Sequence, residues 1–435
     1  MSKTKFIIAF ALIATAAFAM TLEEAIARAI EANSEMVMAK YDADATHLDV
    51  KSAFTGFLPR ITADASYTRL DEVPVIVMPE EFAAFMPEGG IAMGDDDNYN
   101  VTLGVQQPIF MGGKIYYGYK AARAGAEIEK FNYNSTCNSV ATDVAGAFFG
   151  VVKAELFRNS MLDARERMDA HQRVIEAMYE QGLISRNDLL KTRVASSEID
   201  LMLIQSDNAV NAARLGLNFL LNYPSDSIIA LDPDTTVAET PLPNLRDGIE
   251  SAMIYRPDIR MMESAVDAAN AGVAISRGLF LPDIVGVFNY SYQRPDRANE
   301  PEFYDSWNAT IAASWSLLSW GDRVFGIRKA KLLKRGAQEG SDMIKRAAEM
   351  EIRNNLNSLR EITQRLEVSR TKLEQTEEGY RVAHAEFGTG LVTNTDVLDA
   401  NSALIQAQSE YISAVADFKV AQIKYEVATG KSFKE

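Results

Sequence analysis

The stretch "GLVTNTDVLDAN" at 390–401 has a counterpart at 182–193, "GLISRNDLLKTR". Gly390 aligns with Gly182, Asp396 with Asp188 and Leu398 with Leu190, all 208 residues apart. Each reads as a glycine that ends one helix, followed by a polar cap that starts the next. Further pairs recur at a spacing of 223: "GFLPRI" at 56–61 with "LFLPDI" at 279–284, and "LEEAIARAIEANSEM" at 22–36 with "LRDGIESAMIYRPDI" at 245–259. The change of spacing puts 15 extra residues between Ile61 and Gln107 in the first half. Residues 222–244, rich in proline and acid, read as a connector. The expected organisation is a duplicated unit, 20–221 and 245–430, joined by 222–244.

Within each half the hydrophobic period changes in the same order. A helix is expected at 22–55 and again at 245–278. Apolar/polar alternation then marks strands near 61–70 and 98–107, and near 284–293 and 306–316. In "DSWNATIAASWS", Trp307, Ala309, Ile311, Ala313 and Trp315 share one face. A half-buried sheet in a soluble sandwich shows such alternation too. Trp307 and Trp315, however, bracket about one bilayer crossing of a tilted strand, and the polar face carries little charge. The loop 71–97 holds eight acids and no Lys or Arg, as suits an extracellular loop. Pro59, Pro108 and Pro282 sit where strand period meets helix period.

The rest is long helix. Residues 114–181 and 321–388 lack proline, and each would reach about 100 Å if continuous. Their return partners are 188–221 and 396–429. Ile352, Leu359, Leu366, Leu373, Tyr380 and Phe387 repeat every seven residues, as do Val397, Leu404, Tyr411, Phe418 and Tyr425. Ala400, Ala407, Ala414, Ala421 and Ala428 hold the position three later, so a neighbouring helix can approach closely.

Composition bounds the function. The 435 residues are 47% hydrophobic with net charge −16, which disfavours nucleic acid as a ligand. Lys3 and Lys5, the apolar run "FIIAFALIATAAF" and Ala17-Phe18-Ala19 read as a signal peptide over 1–19. No cysteine follows the cleavage site, so a lipid-anchored N-terminus is not expected. Cys137 is the one cysteine and reads as a small core residue. The histidines His47, His171 and His384 are isolated in sequence, and neither H-E-x-x-H nor G-x-S-x-G occurs. The "GKS" at 430–432 lacks the earlier glycine of a phosphate loop. No catalytic residue, cofactor or metal site is expected.

With these elements assembled, the chain resembles the TolC-like outer-membrane efflux proteins. The likeness rests on the duplication and on "QPIFMGGKIYYGYKAAR" (107–123), "YEQGLISRNDLL" (179–190) and "FGTGLVTNTDVLDA" (387–400). The resemblance implies a mainly α chain with a transmembrane β-barrel. It further implies a homotrimer whose twelve strands close one barrel in the outer membrane, with the helices forming a periplasmic tunnel. Four strands cannot close a barrel alone, and open edges are not tolerated in lipid, which fits an oligomer. The implied function is an exit duct for efflux or type I secretion, coupled through a periplasmic adaptor to an inner-membrane pump or ABC transporter. The competing reading is a periplasmic coiled-coil tether without a pore. The turns at Gly182-Leu183 and Gly390-Leu391 match the family's adaptor contacts. Asp396 and Asp399 match its paired acids at the periplasmic entrance, and Phe387 matches an aromatic position near that gate. In such a ring, like charges are expected to raise some carboxyl pKa values. Trp307 and Trp315 are expected at the membrane interfaces.

Overall fold

The structure, a computed structural model, describes residues 19–76, 91, 92, 94–236, 241–296 and 300–433. The expected signal peptide lies outside them, save Ala19, as do most of the first strand loop and 237–240 of the connector. The elements in chain order are α1 (Leu22–Ala32), α2 (Ser34–Thr55), β1 (Arg60–Arg69), β2 (Val75–Ile76), β3 (Ile91–Ala92), β4 (Asp97–Met111), α3 (Lys114–Glu180) and α4 (Arg186–Leu220). Then follow α5 (Leu245–Tyr255), α6 (Pro257–Gly278), β5 (Asp283–Arg294), β6 (Tyr304–Ser314), α7 (Asp322–Phe387) and α8 (Asn394–Ala428). The chain divides into two units. One comprises residues up to 41, 131–260 and 344 onward; the other comprises 42–130 and 261–343. Among the described residues no helix is long and apolar enough to cross a membrane.

The first unit is helical and its core is built largely from small residues. Ala407, Ala414, Ala421 and Ala428 of α8 are buried, as are Leu404, Phe418 and Tyr425 three or four positions away, and Val397 nearer the start of the helix. Facing them on α7 are Ile352, Leu356, Leu359 and Leu366. Ala25, Ile26 and Ala29 of α1 pack with Ala141, Val144, Ala145 and Phe148 of α3. Small side chains at regular spacing bring helix backbones together, so these helices gain their stability from packing rather than propensity.

The sequence reads 22–55 as one helix, but it is two. Asn33 adopts an extended conformation (φ −64°, ψ 137°) between α1 and α2. Its Oδ1 accepts from the Glu35 N–H at 2.8 Å, and its Nδ2 donates to the Leu220 carbonyl at 3.0 Å. The same joint recurs between α5 and α6, where Arg256 is extended ahead of Pro257. The Arg256 guanidinium donates to the Ala428 carbonyl at 3.1 Å and is paired with Asp258 (2.7 Å) and Glu351 (2.8 Å). Arg256 lies 223 residues after Asn33, and Ala428 lies 208 after Leu220. One geometry is thus held by an amide in one place and by a half-buried cation in the other. Part of the connector docks on this unit. Met20 N–H donates to Ala230 O (2.8 Å) and Asp232 N–H to Met20 O (2.9 Å). Lys419 pairs with Asp234 at 3.0 Å.

The second unit carries a four-stranded antiparallel sheet in the order β1-β4-β5-β6, plus the small ribbon β2-β3. Pro108 does not end the strand as the sequence suggests. β4 continues to Met111, and its register against β5 shifts between Pro108 and Phe110. A bulge accommodates the missing donor. The turn into α3 is made instead by Gly112 and Gly113, at φ 59° and 80°. A Cβ on Gly112 would overlap the carbonyl of Gly278, so the two backbones meet where no side chain fits.

Candidate functional site

Two regions carry chemistry: the sheet and the paired helix turns. In the sheet the register sorts the side chains onto two faces. Ile61, Val105, Phe288 and Ala309 form one cross-strand row; Ala63, Leu103, Tyr290 and Trp307 form the next. The opposite face carries Thr62, Gly104, Asn289 and Asn308, then Asp64, Thr102, Ser291 and Ser306. The Thr102 and Ser291 hydroxyls lie 3.0 Å apart across two strands. One face is therefore apolar and the other hydroxyl- and amide-lined, and both are open to solvent in the single chain.

Aromatic rings mark the ends of the apolar face. Near the β5–β6 hairpin, Tyr67 packs on Tyr99 (4.9 Å between ring centres), Tyr99 on Phe303 (5.8 Å) and Phe303 on Tyr292 (5.2 Å). Trp307 lies farther along β6, stacked on Phe288 at 6.1 Å. Trp315 follows the last residue of β6, and its indole N–H donates to the Phe280 carbonyl at 3.1 Å. From Phe303 to Trp315 the rise is about 40 Å along the strand, or about 28 Å along the normal of a strand tilted ~45°. Trp307 to Trp315 gives only about 19 Å on the same basis, against an apolar band of about 25 Å in outer-membrane barrels. The cross-strand aromatic cluster was not legible in the sequence, because its members come from three strands.

The two helix turns share one backbone design. At α3–α4, Gly182 (φ 73°) donates to Tyr179 O and Leu183 to Met178 O, both at 2.9 Å. At α7–α8, Gly390 (φ 76°) donates to Phe387 O and Leu391 to Glu386 O, both at 3.1 Å. This is the Schellman pattern, and positive φ explains both glycines. Each turn then opens the next helix with a capping box, Ser185 with Asp188 and Thr393 with Asp396. Leu183 and Leu391 follow the glycines and are 65% and 75% exposed. In this motif that residue frequently packs back on its helix, so its exposure here leaves apolar surface free.

Asp396 is engaged by its own cap. Its carboxylate accepts from Thr393 Oγ1 (2.6 Å) and Thr393 N (2.7 Å), which hold its pKa below the ordinary carboxylate range. Asp399 is exposed, with no hydrogen-bond partner among the described residues. Lys191, the first-half counterpart of Asp399, donates to Thr395 Oγ1 at 3.0 Å, next to Asp396. Phe387 is buried with Ile175, Leu189 and Val397, in an apolar cluster drawn from α3, α4, α7 and α8.

Beside this cluster sits a polar clasp that sequence reasoning missed. His171 is 1% exposed, and its Nε2 lies 2.8 Å from Asn394 Oδ1. The Asn394 Nδ2 donates to Asp188 O (3.1 Å) and to Thr192 Oγ1 (3.0 Å). Asn394, at the first position of α8, thereby fastens α8 to α3 and α4. Burial pushes the His171 pKa down, the Asn394 bond opposes that, and His384 adds to the lowering. The histidines are not isolated in space: the His171 ring lies 6.2 Å from His384 and 5.2 Å from Phe387. No group of three metal-ligating side chains occurs among the described residues.

Comparison with known proteins agrees with this architecture. The family described as Outer membrane efflux protein matches residues 25–223 and 248–431. The alkaline protease secretion protein AprF of Pseudomonas aeruginosa is 24% identical over 343 residues, covering 75% of this chain and 68% of AprF. The outer membrane protein TolC of Vibrio cholerae is 20% identical over 434 residues, covering 96% and 92%. Among solved structures, the Campylobacter jejuni CmeC outer membrane channel superposes with a TM-score of 0.79 at 18% identity, over 95% of this chain and 87% of that one. The fold is therefore that of an outer-membrane efflux channel, a barrel with a helical tunnel. The chain belongs to the outer membrane efflux protein family. It is an outer-membrane channel with a periplasmic helical extension, and the reading as a tether without a pore is not favoured.

Proposed function

We propose that the protein is the exit duct of an efflux or type I secretion system, working as a homotrimer without catalytic residues or cofactor. The observation that carries this is the sheet itself. It has one apolar and one polar face, and no strand among the described residues pairs with the outer edges of β1 and β6. In lipid those edges need partners, and three copies pairing β6 to β1 close twelve strands around a polar lumen. A stripe on α4 supports the same assembly. Leu190, Val194, Leu201, Ile204, Leu215 and Phe219 are exposed at near-heptad spacing, as on a helix that meets a neighbouring copy. The duplicated organisation, 20–221 and 245–430 about the connector 222–244, would then give each copy two equivalent helix turns.

In this reading the exposed Leu183 and Leu391 meet a periplasmic adaptor, which couples the duct to an inner-membrane pump or ABC transporter. Asp399 faces the entrance as a free carboxylate. Asp396 acts mainly on the start of α8, and Phe387 acts from within the apolar cluster by holding the helix pairs together. Trp315 and the Tyr99–Phe303 cluster mark the two membrane interfaces, with Trp307 between them on the lipid side. The decisive test is the mass of the detergent-solubilised protein together with export by cells. A trimer is expected, and Leu183→Glu with Leu391→Glu should abolish export while leaving the trimer intact. A monodisperse monomer that needs no detergent would overturn the duct, and unimpaired export by the double variant would overturn the adaptor contact.

A further inference from the structure

We infer that the opening turns of α7, with Trp320 just before them, bind anionic phospholipid headgroups on the periplasmic leaflet of the outer membrane. The inference rests on the barrel lying in that membrane. In a chain of net charge −16, residues 323–335 hold six Lys or Arg and no Asp or Glu. Arg323 is buried, held by the Ser316 carbonyl and stacked over Phe280 at 5.7 Å, so it orients the turn. Arg328, Lys329, Lys331 and Arg335 are exposed, with no ion pair among the described residues. At 100° per residue, Arg328, Lys331 and Arg335 fall within about 60° of one another. The exposed Phe325 and Leu332 lie beside them. A face that mixes bulky apolar groups with cations is the signature of a membrane-surface helix.

Position supports the occupant. α7 begins eight residues after β6 ends, so its opening turns are tethered close to the end of the membrane strand. Helical side chains tilt toward the N-terminus, here the end joined through Trp320 to the sheet, so these cations lean toward that end. Trp320 is 89% exposed and held at φ 49°, ahead of Gly321 at φ 92°. A bulky residue at positive φ is strained, and the strain here presents an indole to solvent beside the membrane strand. Indoles favour the headgroup layer.

The chain's three tryptophans, Trp307, Trp315 and Trp320, make the test direct. The Trp307→Phe, Trp315→Phe trimer keeps Trp320 as its sole reporter. It is reconstituted in phosphatidylcholine vesicles doped with brominated phosphatidylcholine or brominated phosphatidylglycerol. Quenching should show phosphatidylglycerol binding at least about fivefold more tightly, the effect of one engaged cation. The preference should fall toward unity in about 0.5 M salt. It should also fall when Arg328, Lys329, Lys331 and Arg335 are all changed to Gln, with the trimer intact. Equal quenching by both lipids, or a preference that survives the fourfold change, overturns the inference. Dissociation of the fourfold variant into monomers also overturns it, by making this face a contact between copies. Quenching by neither lipid instead removes the barrel reading on which the inference rests.

Discussion

Changing Asn394 to Ala tests whether the polar clasp fastens α8 to α3 and α4. The substitution deletes the hydrogen bonds to His171 (2.8 Å), Asp188 O (3.1 Å) and Thr192 (3.0 Å). Thr192 Oγ1 and Asp188 O keep their own 3.0 Å bond, so His171 Nε2 is the group left stranded in the interior. An unsatisfied buried group costs ~1–3 kcal/mol and each lost bond ~0.5–1.5 kcal/mol. Even the low end of these values, about 2.5 kcal/mol in all, corresponds to about 70-fold in the local opening constant. Hydrogen exchange at the amides of the first turns of α4 and α8 should accelerate by that order, while amides near Phe148 stay protected. Acceleration below about threefold would show that the apolar cluster around Phe387 holds the turns without the clasp.

The same site predicts a sign with pH. The buried His171 has its pKa held below the ordinary imidazole value of about 6.5, so the unfolded chain binds more protons just below that pH. The clasp should therefore be firm above pH 6.5 and loosen as pH falls through it. The groups facing His171 are His384 of α7 and the dipoles of Asn394 and Thr192. Arg167 of α3 stacks on Tyr380 at 5.6 Å, and the Asp188 and Asp396 carboxylates are held by their caps. In Asn394→Asp a carboxylate replaces the amide and should raise the His171 pKa, so the turns should loosen as pH rises instead. Protection factors, corrected for the intrinsic pH dependence of exchange, that slope the same way between about pH 5.5 and 8 in both proteins would refute this account.

Three further outcomes are expected. Arg256→Met strands Asp258, Glu351 and the Ala428 carbonyl; because both acids are partly exposed, the loss should be about 2 kcal/mol, read as a lower melting midpoint of the detergent-solubilised protein. Gly182→Ala and Gly390→Ala place a Cβ at positive φ and should each cost ~1–2 kcal/mol locally, whereas Gly216→Ala, mid-helix with no neighbour within 4 Å, should be neutral or stabilising. In planar bilayers Asp399→Asn should lower cation selectivity and Lys191→Gln should raise it; if neither changes, the free charges at the turns do not face the ion path.

Much of this architecture was legible because it repeats. The α7–α8 seam is written as heptads with alanine on one edge, and most of those positions are buried, with Leu373, Tyr380, Ala400 and Tyr411 half-buried. The strands were legible from two-residue alternation, and the turns from Gly-Leu followed by a capping box. What escaped notice depends on distant partners. Asn33 is an ordinary residue within a helical pattern, and it breaks the helix because its amide reaches Leu220, 187 residues away. His171 and Asn394 are 223 residues apart, and nothing in the sequence around either names the other as its partner. Pro108 suggested a strand end from local rules, but pairing with β5 carried the strand past it through a bulge. Trp320 was visible as the third tryptophan, but its exposure follows from the positive φ at the turn.

The opening comparison of the two turns resolves into shared backbone and divergent side chains. Both turns use the same glycine, the same pair of backbone bonds and the same capping box, so the local fold makes no distinction between halves. The distinctions lie in what surrounds them. Asn394 is buried in the clasp, whereas Arg186, 208 residues earlier, is exposed. Phe387 is buried, whereas its counterpart Tyr179 is 38% exposed. The α8 turn is therefore the anchored one. The charges follow the same asymmetry: Asp188 and Asp396 are both held by caps, which leaves Lys191 and Asp399 as the pair of opposite sign. Lys191 reaches Thr395 within one turn of Asp399, so an entrance ring built from both would carry alternating charge rather than six free carboxylates. If such a ring forms, the balance of Lys191 against Asp399 is expected to set its selectivity, whereas the Asp396 carboxylate caps the start of α8.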